Sequence, residues 1–448
     1  MKKRTFLKLS SALVTGTALA PLTSWVQDEP IHNWAGNLTY STSNNAHPTT
    51  IEEVIAWTKK YPDFKVLGTR HCFNTIADSK HQFLSIDKLD PDIKLNAQAK
   101  EVSVAAGIRY GQLAEWLYKQ GWALHNLASL PHISVAGACI TATHGSGIKN
   151  GNLSTAVKEL EFVNGSGERL TVGKSKDGDL FQGSVVNLGG FGVITRVTLA
   201  IQPTFNVRQD VYEDLPLAQL EKHFDEIMGS GYSVSIFSDW QNKNLSQVWV
   251  KSRVEEGQPF HKPDNLFGAK PATRNLHPIK ALSAENCTEQ MGVPGPWHER
   301  LPHFKMNFTP SSGKELQSEF FVPRSRAYEA IMAVESLRDE IGPLLFITEL
   351  RCIDADEFWM SPCYKRPSLA IHFTWKPDWE NVRKLLPKIE AKLAPFSAKP
   401  HWGKLFTMAP ERFKLLYPRL PDFQKLLKQF DPAGKLKNDF LARNIYNV

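Results

Sequence analysis

The sequence predicts an α+β protein built in two parts, and three observations carry that expectation. From about Trp34 to Pro203, short strands, helices and hairpins mix without the regular βαβ repeat of a doubly wound parallel sheet. Beyond Pro203 the helices lengthen, aromatic residues and prolines become more frequent, and two segments alternate polar with apolar residues at the period of an antiparallel strand. The 448 residues, 42% apolar and 22% charged, suffice for two or three domains, or for two that share one continuous core.

The chain begins "MKKRTFLKLSSALVTGTALAPLTSW", with a basic start, an apolar run from Ala12 to Leu22 and the small-residue sequence Ala18-Leu19-Ala20. That is the grammar of an export signal over residues 1–25, and the run is too short and too rich in Thr and Gly for stable membrane insertion. Lys3-Arg4-Thr5-Phe6-Leu7-Lys8 resembles the twin-arginine signal with lysine in the first arginine position, so a periplasmic or extracellular location is expected. Pro21 directly after Ala20 argues against cleavage at that bond.

"IEEVIAWTKKYP" then reads as an amphipathic helix leading into the strand "FKVLG". "KEVSVAAG" is a strand, and "YGQLAEWLYKQG" a helix closed by Gly121. "VKELEFVNGSGERLTV" is a hairpin turning at Asn164-Gly165, and "GVITRVTLAIQP" is a strand stopped by Pro203. Further on, "SDWQNKNLSQVWVKSRV" is strand material and "GQPFHKPDNLFGAKPATRNLHP" an extended surface excursion. In "SRAYEAIMAVESLRDEIGP", Ile331, Val334, Leu337 and Ile341 form one helical stripe, with Gly342-Pro343 as the stop.

Composition narrows the function. A net charge of +7 is modest for this length, and Lys and Arg are spread along the chain, which argues against a nucleic-acid partner. The five cysteines, Cys72, Cys139, Cys287, Cys352 and Cys363, include no Cys-x-x-Cys pair and are odd in number, so neither a disulfide framework nor a structural metal site is expected.

Three features carry chemistry. His71 stands at a strand-to-loop corner in "VLGTRHCFNTIADS", a position where a lone histidine is ordinarily a half-exposed loop residue. Residues 126–151 are dominated by Gly, Ala, Ser and Thr, so backbone amides there can approach an anionic group closely, although neither standard nucleotide-binding fingerprint occurs. In "LFITELRCI" a period of two puts Glu349 and Arg351 on one face with Leu345 and Ile347, and Phe346, Thr348, Leu350 and Cys352 on the other. In "SLAIHFTWK" it groups His372 with Thr374, backed by Ile371, Phe373 and Trp375. With Lys404 of "PHWGKLFTM", these acids, bases and hydroxyls suit a polar, uncharged substrate rich in hydroxyl groups.

The blocks "GTRHCFNTIADS", "NLASLPHISVAGACITATHGSG", "ENCTEQMGVPGPWHERLPHF", "LQSEFFVPR", "TELR", "HFTW", "KPHWGKLFT" and "DPAGKLKNDF" resemble, in this order, the bacterial alditol oxidases. These are flavoproteins of the vanillyl-alcohol-oxidase class, close to the sugar-1,4-lactone oxidases, and the resemblance runs from about residue 33 to the C-terminus. It implies a two-lobed FAD-binding domain over 33–203, a substrate domain with a large antiparallel sheet flanked by helices over 204–430, and a segment 431–448 that returns to the flavin.

The resemblance also implies that His71 holds FAD covalently, with Gly68, Thr69, Arg70 and Cys72 around the flavin. Where the family usually shows Gly-Ser-Gly-His-Ser, this chain departs at Thr69, Arg70 and Cys72, and Arg70 puts a side chain where glycine is typical. Ser129, Ser134, Gly137, Thr141, Ala142, Thr143 and His144 would contact FAD, with Ile194 near its adenine end. Ser129, Glu349, Arg351, His372, Thr374 and Lys404 match the family's substrate positions.

The implied reaction is hydride transfer from the terminal primary alcohol of an alditol such as xylitol or sorbitol, with dioxygen reduced to hydrogen peroxide. In it Arg351 or Lys404 stabilises the developing alkoxide, His372 serves as base, and Glu349 orients Arg351 and accepts substrate hydroxyls. The rival readings are a sugar-1,4-lactone oxidase or dehydrogenase, a polyol dehydrogenase with another electron acceptor, and an exported carbohydrate-binding protein without chemistry.

Overall fold

A computed structural model describes residues 29–447 apart from 256, 258–259 and 307–314. The expected export signal lies outside the described residues.

Helix Ile51–Lys60 starts where Thr50 accepts a bond from the Glu53 amide, and it carries Glu52 and Glu53 in its first turn and Lys59 and Lys60 in its last, as the helix dipole favours. It leads into strand Lys65–Leu67 of a small parallel sheet, which pairs with Phe83–Ser85 and, beyond that, Asn45–Ala46. The loop bearing His71 leaves the end of Lys65–Leu67. A second, antiparallel sheet orders Lys94–Asn96, Glu101–Ala105, Gly192–Ala200, Val157–Asn164 and Arg169–Gly173. Its hairpin turns where expected: Asn164 Oδ1 accepts from the amides of Ser166 and Glu168, and Gly167 takes a left-handed φ of 79°. Helix Tyr110–Lys119 lies between these strands in sequence and ends at Gly121, whose φ is 80°. The strand ahead of Pro203 ends at Ala200, and Gln202–Pro203 pairs separately with Trp122–Ala123.

The remainder is organised by a nine-stranded antiparallel sheet. Its long strands run in the order Asn206–Pro216, Asn244–Val254, Ser233–Ser238, Leu345–Ile353, Ser368–Trp375 and Leu316–Pro323. Helices Leu220–Met228, Ala327–Glu335 and Trp379–Leu393 cover one face, where Ile227, Ile331, Val334 and Ile389 share a core with Leu350, Cys352, Ile371, Phe373 and Trp375. Each such side chain contributes about 1.5–3 kcal/mol on burial, so the face that backs the polar residues is firmly held. The stripe expected in 325–343 is buried as a unit, although the helix breaks at Ser336–Leu337 and resumes at Arg338.

One face assignment is corrected. Leu345 packs into the helix-covered core with Leu350 and Cys352, apart from Ile347 and Glu349. The cause is a bulge: Leu345 pairs with Trp375 and Ile347 with Thr374, so Phe346 is the extra residue and the alternation changes phase there.

From Trp402 onward the chain is back in the first core, with Phe413, Tyr417, Phe423, Leu427 and Phe430 beside Phe162 and Phe191. The return is fastened near the His71 loop. The Phe64 amide donates to Lys435 O (2.9 Å), and the buried Lys65 Nζ donates to Gly189 O (2.8 Å) and Leu436 O (3.2 Å). The five cysteines are all free thiols. No helix among the described residues is long and apolar enough to cross a membrane.

Candidate active site

A cavity extends from the loop 65–73, past the small-residue segment 128–144, to the face of the large sheet opposite the helices. Strand register builds that wall. His372 pairs with Glu349 on one side and Glu319 on the other, so the three lie in one row across neighbouring strands, and Phe237 extends the row beside Glu349. The next row sets Thr374 between Ile347 and Gln317. All of these side chains line the cavity, together with Arg351, Lys404, His144, His303 and Ser129.

The charges are buried and paired. Glu319, 1% exposed, accepts from Arg351 Nη2 (2.6 Å) and Lys404 Nζ (2.8 Å), and His144 Nε2 stands 3.2 Å away. Burial acts to raise the Glu319 pKa, yet Lys404, His144 and Arg351 hold it well below the usual carboxylate range. Glu349 accepts from His303 Nε2 (2.7 Å); burial pushes its pKa up too, but Arg351 and His303 outweigh that and keep it ionised. Arg351 Nη1 donates to Ser129 Oγ at 3.3 Å. Burial and the nearby Lys404 push His372 well below the ordinary imidazole range, so it is neutral. Burial also lowers Lys404, against the opposing pull of Glu319.

Lys404 sits on a loop tied directly to the segment after His71. The Phe73 amide donates to Gly403 O (2.8 Å), and Asn74 Nδ2 donates to Trp402 O (2.8 Å) and Lys404 O (2.7 Å).

The other end of the cavity fits a dinucleotide flavin. Among the described residues, the successive amides of Thr69, Arg70, His71 and Cys72 donate to no protein acceptor, which leaves a run of N–H groups free for a bound acceptor. A Cβ at Gly68 would stand 2.7 Å from Ser134 Oγ, and one at Gly137 2.8 Å from the same atom, so a side chain at either position would displace the Ser134 hydroxyl. Thr69 Oγ1 accepts from the Ser134 amide and lies 3.0 Å from His71 Nδ1. The His71 ring stacks on Trp34 with centroids 5.2 Å apart, and its buried Nε2 has no hydrogen-bond partner among the described residues. Burial, reinforced by His132, lowers the His71 pKa to about 4, so the ring keeps a free lone pair at neutral pH.

Most of the expected cofactor residues line this cavity, namely Gly68, Thr69, Arg70, His71, Cys72, Ser129, Ser134, Gly137, Thr141, Thr143 and His144. Two do not. Ala142 takes a φ of 53° and is packed in the core, and Ile194 is buried in strand Gly192–Ala200 opposite Phe162. The residues that sequence reasoning missed are Glu319, Gln317 and His303.

Arg70 keeps the left-handed backbone that glycine favours, with φ 60°; its side chain is exposed and makes no ion pair with described residues. Holding that φ without glycine therefore carries a cost. Arg70→Gly is expected to stabilise the protein by about 0.5–1 kcal/mol, offset in part by glycine's greater unfolded-state entropy, and thermal unfolding checks it. A drop in stability would mean that the guanidinium has a partner worth more than the strain.

The overall fold matches cholesterol oxidase from Brevibacterium sterolicum at a TM-score of 0.74 and 15% identity, covering 96% of this chain and 100% of that one. A solvent-stable cholesterol oxidase aligns at a TM-score of 0.75 and 14% identity, over 93% of this chain and 97% of that one. The profile of an FAD-binding domain matches residues 45–173, and that of D-arabinono-1,4-lactone oxidase matches 306–444. Fold and site together define an FAD-dependent oxidoreductase acting on CH–OH groups.

Sequence relatives narrow the class. The alditol oxidase of a Streptomyces species is 42% identical over 414 residues, spanning 92% of this chain and 98% of that protein. The L-gulonolactone oxidase of Mus musculus and the L-gulono-1,4-lactone dehydrogenase of Mycobacterium tuberculosis are each 25% identical, over the same 92% and 98%. The chain belongs to the alditol oxidase family.

Proposed function

We propose that this protein oxidises the terminal primary alcohol of alditols of the xylitol or sorbitol kind to the aldose, with dioxygen reduced to hydrogen peroxide. The observation that carries this reading is the buried row Glu349–His372–Glu319 with Arg351 and Lys404 against it: two carboxylates, two cations and a neutral imidazole on one cavity wall. Such a wall is electrically balanced and dense in acceptors and donors, which suits a neutral chain of hydroxyl groups.

Bound FAD supplies the acceptor for the substrate's hydride and the route of its electrons to oxygen. The cradle of Gly68–Cys72, Ser134 and Gly137 would hold it, and His71, neutral with Nε2 unpartnered, is suited to a covalent tether. Arg351 and Lys404 stabilise negative charge on the substrate oxygen as its proton leaves. His372 is the base. Gln317 Nε2 donates to Glu315 Oε1 (2.6 Å), which turns Gln317 Oε1 toward His372 Nε2 (3.1 Å) and leaves the buried Nδ1 with the lone pair. Glu349 and Thr374 accept further hydroxyls.

A second reading, oxidation of a lactone-ring hydroxyl, is favoured by one finding: the lactone-oxidase profile covers 306–444, the segment that contains this wall. Peroxide formation with xylitol, sorbitol and a galactono-1,4-lactone separates the two, and turnover of the lactone alone would replace the first reading by the second. The tether has its own test. Flavin fluorescence should stay with the denatured polypeptide on a gel and vanish in His71→Ala; fluorescence lost from the wild type on denaturation would refute it.

A further inference from the structure

We propose that His303, fixed from behind by Lys251, is a positioning residue of the substrate site: its ring occupies one oxygen of Glu349, holds that carboxylate off Arg351 and leaves the other oxygen for a substrate hydroxyl. The proposal rests on the reading of this cavity as an alcohol-oxidising site.

Lys251, 1% exposed on strand Asn244–Val254, has three acceptors around Nζ: Leu301 O at 2.5 Å, Pro302 O at 3.0 Å and His303 Nδ1 at 3.0 Å. The ionised Glu349 accepts from Nε2 of His303, and burial lowers the ring's pKa to about 4, so the imidazole is neutral with a single N–H. Nδ1 of His303 therefore holds the lone pair and Nε2 the proton. That proton points at Glu349 Oε1, 2.7 Å away. The ring cannot swing aside, because Trp249 and Phe237 pack edge-on against it at 5.1 and 5.6 Å and the His303 amide donates to Ser129 O at 3.2 Å.

The consequence falls on Arg351. Its Nε lies 3.6 Å from the same Glu349 oxygen and is buried without a hydrogen-bond partner among the described residues. Arginine beside a free carboxylate ordinarily closes into a two-pronged pair. Here the bond from His303 keeps the pair open, and Glu349 Oε2 has no protein partner among the described residues. An anionic acceptor thus stays available inside the cavity.

The test uses the full-length flavoenzyme and its His303→Leu, His303→Gln and Lys251→Met variants. Anaerobic stopped-flow with xylitol gives the dissociation constant and the limiting rate of flavin reduction, and melting of the substrate-free protein is followed in parallel. His303→Leu should weaken xylitol binding ~tenfold or more, the scale of one hydrogen bond to a charged group, with a smaller change in limiting rate. His303→Gln should recover most of the affinity, since its amide can accept from Lys251 and donate to Glu349. Lys251→Met should weaken binding in the same direction, and adding it to His303→Leu should bring no further loss.

Equal loss of affinity in the Leu and Gln variants, or a lowered rate at unchanged affinity, overturns the proposal. If His303→Leu does not fold, His303→Gln and Lys251→Met decide it, because an unchanged dissociation constant in Lys251→Met contradicts the chain. If the wild type is reduced by a galactono-1,4-lactone and not by xylitol, the alditol reading fails, and the same comparison with the lactone still judges His303. If neither donor reduces it, both fall.

Discussion

Lys404→Met should lower the limiting rate of flavin reduction at least ~tenfold, and by as much as ~10²–10³, the range seen when a group that stabilises a developing oxyanion is removed. In the proposed reaction the alcohol's pKa lies far above neutrality, so the rate should depend on a cation beside the substrate oxygen. Lys404 is placed for that by its surroundings. Its ammonium lies 2.8 Å from Glu319, and three hydrogen bonds tie its loop to Phe73 and Asn74, just after His71. The cation is therefore fastened to the segment that follows His71. Lys404→Arg, which keeps the charge, should lose less. A near-normal rate in the Met variant would leave Arg351 as the sole electrostatic group and take Lys404 out of the mechanism.

Glu319→Leu should be the most damaging change to the wall's stability. With Glu319 gone, Arg351 loses a 2.6 Å bond and Lys404 a 2.8 Å bond in a site only 1% exposed at the carboxylate. Breaking a buried ion network by removing one partner costs about 3–5 kcal/mol, because the remaining charges stay desolvated. Part of that is relieved if Lys404 gives up its proton, which burial already favours. The same relief removes the cation, so activity and stability should fall together. Thermal unfolding and stopped-flow reduction measure the two. Raising the pH should hurt the Leu variant's rate more than the wild type's, since Lys404 then lacks the carboxylate that keeps it charged. An unshifted melting transition with an unchanged rate would mean that Glu319 does not organise the site.

How much of this was legible depended on regularity. His372 and Thr374 were placed correctly because Ser368–Trp375 is an uninterrupted strand with Ile371, Phe373 and Trp375 all in the core. Leu345 was misplaced because the Phe346 bulge changes the phase of its strand, and period counting carries no sign of a bulge. Glu319 was within reach. The same count applied to "LQSEFFVP" puts Gln317, Glu319 and Phe321 on one face, and pairing opposite His372 does the rest. His303 was not legible, since it lies in an irregular stretch where nothing repeats, and Lys251 looks in sequence like any surface lysine on a strand. His71 stood out only through resemblance; the unpartnered amides of 69–72 and the glycine cradle depend on segments distant in sequence. Arg70 takes the left-handed φ that glycine favours, which its residue type does not announce.

The most direct measurement is anaerobic mixing of the purified flavoenzyme with xylitol while the visible flavin band is recorded. Bleaching in a single saturable phase, with one aldose formed per flavin and one hydrogen peroxide released when air is admitted, is the expected result. A flavin that stays oxidised with xylitol and sorbitol but bleaches with a galactono-1,4-lactone would contradict it.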